Sequence, residues 1–197
     1  MKKLLAAAAI LTAPHAFAAE IDSVYTDLAD TNCITIAKAP ESDGGDWANK
    51  VCTGYAGYPV LLDYGDARDS VFYGFPPTAE NGRVWESFDA FNSVSEKVEW
   101  RVRKDGDVIV PLASIQRWSV ASPEDDEKDI EVLVIERVGQ PADGQGCTVG
   151  LVVATGNPQA NETARRIADE QASYFACGAD ERTLVGEPMP TYSRHEN

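Results

Sequence analysis

The stretch from Cys147 to Gly178 restricts the fold more than any other part of the chain. It reads as an apolar strand (Cys147–Ala154), a short turn, and then a helix that returns to a second cysteine. Asn157-Pro158 puts a capping side chain ahead of a proline at the first helical position, where the missing N–H costs nothing. Ala160, Ala164, Ile167, Ala168, Ala172 and Phe175 recur at three- and four-residue spacings and share one face. That face is narrow and alanine-rich, so the helix is expected to lie close against its cover. Glu162, Arg165, Arg166, Asp169 and Glu170 fall on the other side, with Arg166 spaced to pair with Glu162 and Glu170. Gly178 is placed to end the helix in the left-handed conformation. A helix of about 27 Å matches a strand of about 26 Å. Running back antiparallel, it would bring Cys177 within disulfide reach of Cys147.

Disulfides require an oxidising compartment, and the N-terminus supplies the route to one. Met1–Ala19 has Lys2-Lys3, an apolar run from Leu4 to Leu11, and small residues at Ala16-Phe17-Ala18-Ala19, the pattern of a cleaved export signal. The run is too short to span a bilayer. Cleavage near Ala18 or Ala19 leaves a periplasmic or secreted chain with no membrane span. It also removes Lys2 and Lys3, taking 17 basic residues to 15 against 32 acidic ones and the formal charge from −15 to −17. Such a chain is a poor partner for nucleic acid or anionic lipid and a better one for a cationic protein or peptide. Four cysteines form an even set with three possible pairings. Cys33 with Cys52 and Cys147 with Cys177 are chosen because each closes a local loop.

Taken in order, Val24–Leu28 is a short lead-in to a first strand at Cys33–Ala37, and Pro40–Asp46 is a loop. Trp47–Tyr55 is extended or irregular. Tyr55–Tyr64 and Ser70–Gly74 form a hairpin about the turn Gly65–Asp69. Thr78–Arg83 is a polar loop, and Val84–Phe91 is ambiguous between strand and short helix. Val98, Trp100 and Val102 alternate with Glu99, Arg101 and Arg103, a half-buried strand turning at Asp105-Gly106. Pro111–Val120 continues as an irregular edge or another strand. Ser122–Asp129 is an acidic exposed turn. Ile130–Val138 is a central strand by its near-continuous apolar character, antiparallel to the strand from Cys147. Strands cluster before one long helix, so the fold class is α+β: a twisted, mainly antiparallel sheet with a C-terminal helix packed on one face and two disulfides. The expected division is a signal peptide (1–19), one domain (20–187) and a loose tail (188–197).

Motifs for known chemistry are missing. There is no GxSxG, phosphate loop, GxGxxG, HExxH or CxxC, and the histidines are His15, in the signal, and His195, near the end. No catalytic residue, metal or cofactor is assigned. Asp63, Asp66 and Asp69 gather around the hairpin turn, where turn chemistry explains them more simply than catalysis. Asp105-Gly106-Asp107, Asp143-Gly144 and Ser122–Asp129 offer hard oxygens without the spacing of a calcium loop. Arg68, Arg101, Arg103 and Arg117 are scarce positive charges, better matched to nearby acids than to a shared anion. The densest aromatic region, Trp47, Tyr55, Tyr58, Tyr64 and Tyr73 with Asp66 and Arg68, is the candidate binding face for a glycan or a peptide, for which a core role is the competing reading.

Asn157–Asp169 and Phe175–Gly178, with Gly57–Val60 and Gly65–Arg68, resemble a family of exported alphaproteobacterial proteins to which no activity is attached. The resemblance implies a Gram-negative envelope location and no site residues. The leading functional expectation is a non-enzymatic periplasmic binding protein using its acidic surface and aromatic hairpin, for instance against a lysozyme-like cationic enzyme. The alternatives are a carboxylate-dependent hydrolase of envelope glycan and a purely structural envelope protein.

Overall fold

The computed structural model describes residues 20–42, 44–77, 84–122 and 128–195. The expected signal segment Met1–Ala19, the polar loop Thr78–Arg83 and residues 123–127 of the acidic turn lie outside the described residues. In chain order the elements are β1 (Glu20–Asp27), β2 (Cys33–Lys38), β3 (Trp47–Cys52), β4 (Val60–Gly65), β5 (Arg68–Tyr73), β6 (Trp85–Phe88), β7 (Asn92–Asp105), β8 (Val108–Ala121), β9 (Asp129–Arg137), β10 (Cys147–Val153), α1 (Ala160–Gln171), β11 (Thr183–Val185) and β12 (Tyr192–His195). The main sheet has the order β1-β7-β8-β9-β10-β11. Its neighbours are antiparallel except β10 and β11, which run parallel. Strands β2 to β5 form a four-stranded antiparallel sheet, and β6 pairs with β12.

Strand β9 explains the layering. Ile130, Val132 and Val134 face one side and Leu133 and Ile135 the other, and all are buried. A strand covered on both faces needs a partner layer on each. Helix α1 covers one face, placing Ala160, Ala164, Ile167 and Ala168 against Ile115, Ile135, Val149 and Val152. The small side chains permit a close approach: a Cβ at Gly150 would sit 3.0 Å from Ile167 Cγ2. The smaller sheets cover the other face, where Val60, Val71, Tyr73 and Phe88 meet Val98, Trp100, Trp118 and Val132. Around the core, α1 is pinned by charge. Arg165 Nε donates to Glu99 Oε1 at 2.6 Å, and Arg101 binds Asp169 through Nε and Nη2, both at 2.7 Å.

Both disulfides pair as expected, with Cα separations of 3.9 Å for Cys33–Cys52 and 5.8 Å for Cys147–Cys177. The sheet is mainly antiparallel with one helix on a face, but several expectations need correction. The helix is short, 12 residues, and begins two residues later than Asn157-Pro158 suggests. Asn157 Oδ1 instead accepts the Gln159 N–H at 3.0 Å, making a turn ahead of the helix. It also ends early, at Gln171; past its end Phe175 is buried and its carbonyl accepts from Arg137 Nη1 at 2.7 Å. Gly178 (φ 84°) therefore belongs to a separate turn in which the Ala179 and Asp180 amides bond to Ala176 O. The lead-in is a full edge strand, β1, and Pro111–Val120 is part of an interior strand, β8. Pro111 is accommodated there by a register shift opposite Arg101/Val102. Val84–Phe91 resolves as strand β6. Within the segment expected to be loose, Tyr192–His195 form β12 and Tyr192 packs against the core.

Candidate functional site

A roomy cavity lies where the chain's last segment returns to the main sheet. Its floor is built on Glu86. Residues 86 and 88 of β6 point inward, and Phe88 stacks edge-on against Trp118 and Tyr192, at 5.6 and 4.7 Å between ring centres. This anchoring carries the Glu86 carboxylate into the interior. Strand β11 begins only alongside Gly150, so the Thr148 amide is free of it and donates to Glu86 Oε2 at 2.8 Å, joined by Thr148 Oγ1 at 3.1 Å. Glu86 Oε1 accepts from Arg182 Nη2 at 2.5 Å. Arg194, the register partner of Glu86 across β6/β12, brings Nη1 to 3.9 Å of the same oxygen. Arg182 also lies over the Tyr192 ring, 5.0 Å from its centre, and the Tyr192 hydroxyl meets Thr148 Oγ1 at 2.9 Å.

Above this floor opens a cavity of about 680 Å³, walled by Leu151, Phe175, Leu184, Met189, Pro190 and Tyr192. Its size and its mix of apolar walls with a few convergent polar groups are those of a small-molecule site. Two features mark the floor as unfinished. Arg194 Nε is buried with no hydrogen-bond partner. Behind Glu86, the fully buried Glu136 has its carboxyl pushed well above the usual carboxylate range, first by burial and then by the Glu86 charge, with Arg182 opposing. Burial likewise pushes the Tyr192 hydroxyl up, reinforced by Glu86 and Glu136. Glu136 does not line the cavity, so only Glu86 of this carboxylate pair faces it.

The residues expected to form a binding face are not brought together. Tyr73 is buried, hydrogen-bonded to Gln116 and edge-on to Trp100, and Tyr55 packs against the same indole. The Tyr58 hydroxyl donates to Gln140 at 2.9 Å. In the register of β3 and β4, Trp47 lies opposite Gly65 and Tyr64 opposite Ala48, so alternation puts Trp47 and Tyr64 on opposite faces. Asp66 and Arg68 pair with each other at the turn at 2.8 Å. Asp63 and Asp69 also point to opposite faces of the hairpin. Asn49 donates to Asp63 at 2.5 Å, whereas Asp69 lines a second cavity of about 350 Å³ beside Lys50 and Tyr64. Burial raises the Asp69 carboxyl, against the Val94 amide and Lys50. The scarce arginines disperse too: Arg101 binds Asp169 on α1 and Arg117 binds Glu131 at 2.8 Å. Asp143 accepts from Arg137 and from the Gln145 amide, as turn aspartates do. Among the described residues, no group of three His, Cys, Asp or Glu could hold a metal ion, and no helix is long and apolar enough to cross a membrane.

Sequence reasoning passed over Glu86, Arg182, Tyr192 and Arg194. The available signal was two arginines and a tyrosine in a segment without periodicity, inside a chain where positive charge is scarce. No protein-family model, curated protein or solved structure matches this chain.

Proposed function

We propose that this is a non-enzymatic binding protein of the cell envelope, exported through Met1–Ala19, and that its ligand sits in the cavity between the last segment and the main sheet. The observation that carries this reading is a cavity of about 680 Å³ over a charged floor in which one guanidinium donor, Arg194 Nε, is buried and unfilled. Buried donors in folded proteins are nearly always paired, and the outer guanidinium of the same side chain lines the cavity 3.9 Å from Glu86, beyond hydrogen-bond range, so its N–H groups are a place for a ligand atom. The two disulfides suit an oxidising compartment. The test is retention: purified protein is mixed with small-molecule envelope extract, gel-filtered, denatured and analysed by mass spectrometry. Compounds held by the wild type and lost from L184W, which narrows the mouth, are the expected result. The same retention by both, or none by either, would sink the proposal.

The acidic surface is a second contact, directed at a cationic protein such as a lysozyme-like enzyme, and is supported by the formal charge of −15. Co-elution with lysozyme at low salt and its loss at high salt is expected, because exposed charges are screened beyond about 10 Å at 0.1 M. The rival glycan hydrolase needs two carboxyls facing one bond. It would return if Glu86-dependent release of reducing ends from envelope glycan were measured.

A further inference from the structure

We infer that the cavity above Glu86 takes a small amphipathic monoanion, a carboxylate on an apolar body, with Arg194 as its charge partner; this rests on that cavity being the ligand site. The donors and acceptors of the floor do not balance. Glu86 Oε2 is filled by the Thr148 amide and hydroxyl, and Oε1 by Arg182. Arg182 is in turn occupied by Glu86, by the Tyr192 carbonyl at 3.4 Å and by the Tyr192 ring. Arg194 differs. Its nearest carboxylate oxygen is 3.9 Å away, beyond hydrogen-bond range, and its Nε is buried and unpaired. What the floor lacks is therefore an acceptor, and the outer Nη1/Nη2 edge of this partly exposed side chain offers a carboxylate two parallel N–H groups.

Charge then sets the valence. Two guanidiniums share the single carboxylate of Glu86, so the floor carries one net positive charge in a chain that is otherwise strongly acidic. A monoanion balances it, whereas a dianion leaves a surplus negative charge beside Glu86. Asp180 and Glu181 stand at the rim but are exposed, and the Asp180 carboxylate accepts the Ala176 amide at 2.8 Å. Their repulsion is screened at physiological salt far more than the attraction at the half-buried floor. The walls set the rest of the ligand. Leu151, Met189 and Pro190 line the cavity, and Leu184, 59% exposed, presents an apolar side chain to water that a bound apolar body would cover.

The test compares octanoate, octanol and octylammonium by calorimetry on the full mature chain, with the Arg194 Nε–H resonance followed by NMR. Octanoate is expected to bind roughly tenfold or more tightly than octanol, with octylammonium weakest and the Arg194 Nε–H signal moving only with octanoate. In R194Q the preference for octanoate over octanol should vanish while octanol affinity is kept. Should R194Q fail to fold, L184E at the mouth is expected to weaken octanoate more than octanol. Equal binding of octanoate and octanol, or a preference for octylammonium, would overturn the monoanion while leaving the cavity a ligand site. No binding by any of the three at millimolar concentration, with a motionless Arg194 signal, would overturn both.

Discussion

At the scale of single residues, Glu136 carries the clearest consequence. Burial and the neighbouring Glu86 raise its carboxyl in the folded state, so between the unfolded value of about 4.3 and the raised folded value the native state holds a proton that the unfolded chain has released. Stability must then fall as pH rises through that window, by up to about 1.4 kcal/mol per pH unit for this one group. E136Q keeps the shape and removes the titration. It is expected to match the wild type near pH 4 and to exceed it increasingly at higher pH in denaturant melts; parallel pH profiles would contradict this. Glu99 behaves in the opposite sense. Burial pushes it up, but the hydrogen bonds from Arg165 and Ser23 and the charges of Arg165 and Arg101 win and hold it low. Its contribution is present above the usual carboxylate range and lost on acidification through its lowered folded value, so E99Q should flatten the acid limb of the stability profile. The hairpin turn offers a third case: Asp66 and Ala67 both have positive φ, 52° and 55°. Left-handed backbone costs a non-glycine residue about 1 kcal/mol, so A67G is expected to raise the denaturation midpoint by about that amount of stability. The sequence marked the turn through Gly65-Asp66, but not that both bends would fall on residues with side chains.

At the scale of elements, the unit β10–α1–β11 ties the helix to the sheet, and the first residue of β10 is joined to the segment after α1 by Cys147–Cys177, a sequence separation of 30. Closing a loop of that length removes about 3–4 kcal/mol of unfolded-chain entropy in the chain-entropy view. C147A/C177A should lose stability of that order while retaining the helix by circular dichroism; no change would mean that the helix docks without help. Strand β10 and the apolar stripe of α1 were legible because periodicity is local and both faces are buried. The end of α1 was not: the chain leaves the helix at Gln171, and the segment beyond it is held by Arg137 at the Phe175 carbonyl, a contact from another strand. Strands β11 and β12 were illegible for a related reason. They have 3 and 4 residues, too few to show alternation, and β12 finds its partner in the distant β6. The candidate site fell with them, since Arg182, Tyr192 and Arg194 acquire meaning only once β12 lies beside Glu86. The aromatic residues of the hairpin do not gather on one face, because alternation along β3 to β5 sends neighbouring side chains such as Trp47 and Tyr64 to opposite sides.

At the scale of the whole molecule, the sequence's clustered strands and single helix gave the class of fold, while the second sheet and the three-layer stacking depend on which strand faces which and left no local trace. The formal charge of −15 acts on every part at once. Screening that self-repulsion should raise stability as salt increases from about 0.02 to 0.5 M, because half-buried pairs such as Arg101–Asp169 are screened less than exposed charge. A melting temperature that falls over this range would mean the surface ion pairs dominate. The binding proposal requires above all that the last segment be an integral wall of the cavity and not an adventitious strand. A hydrogen-exchange map of the entire chain decides it. Amides of β12 are expected to exchange far more slowly than free peptide, in step with β6, and to slow further with octanoate; exchange at free-peptide rates from Met189 to His195 would leave the cavity without that wall and without Arg194 in its floor, and contradict the account.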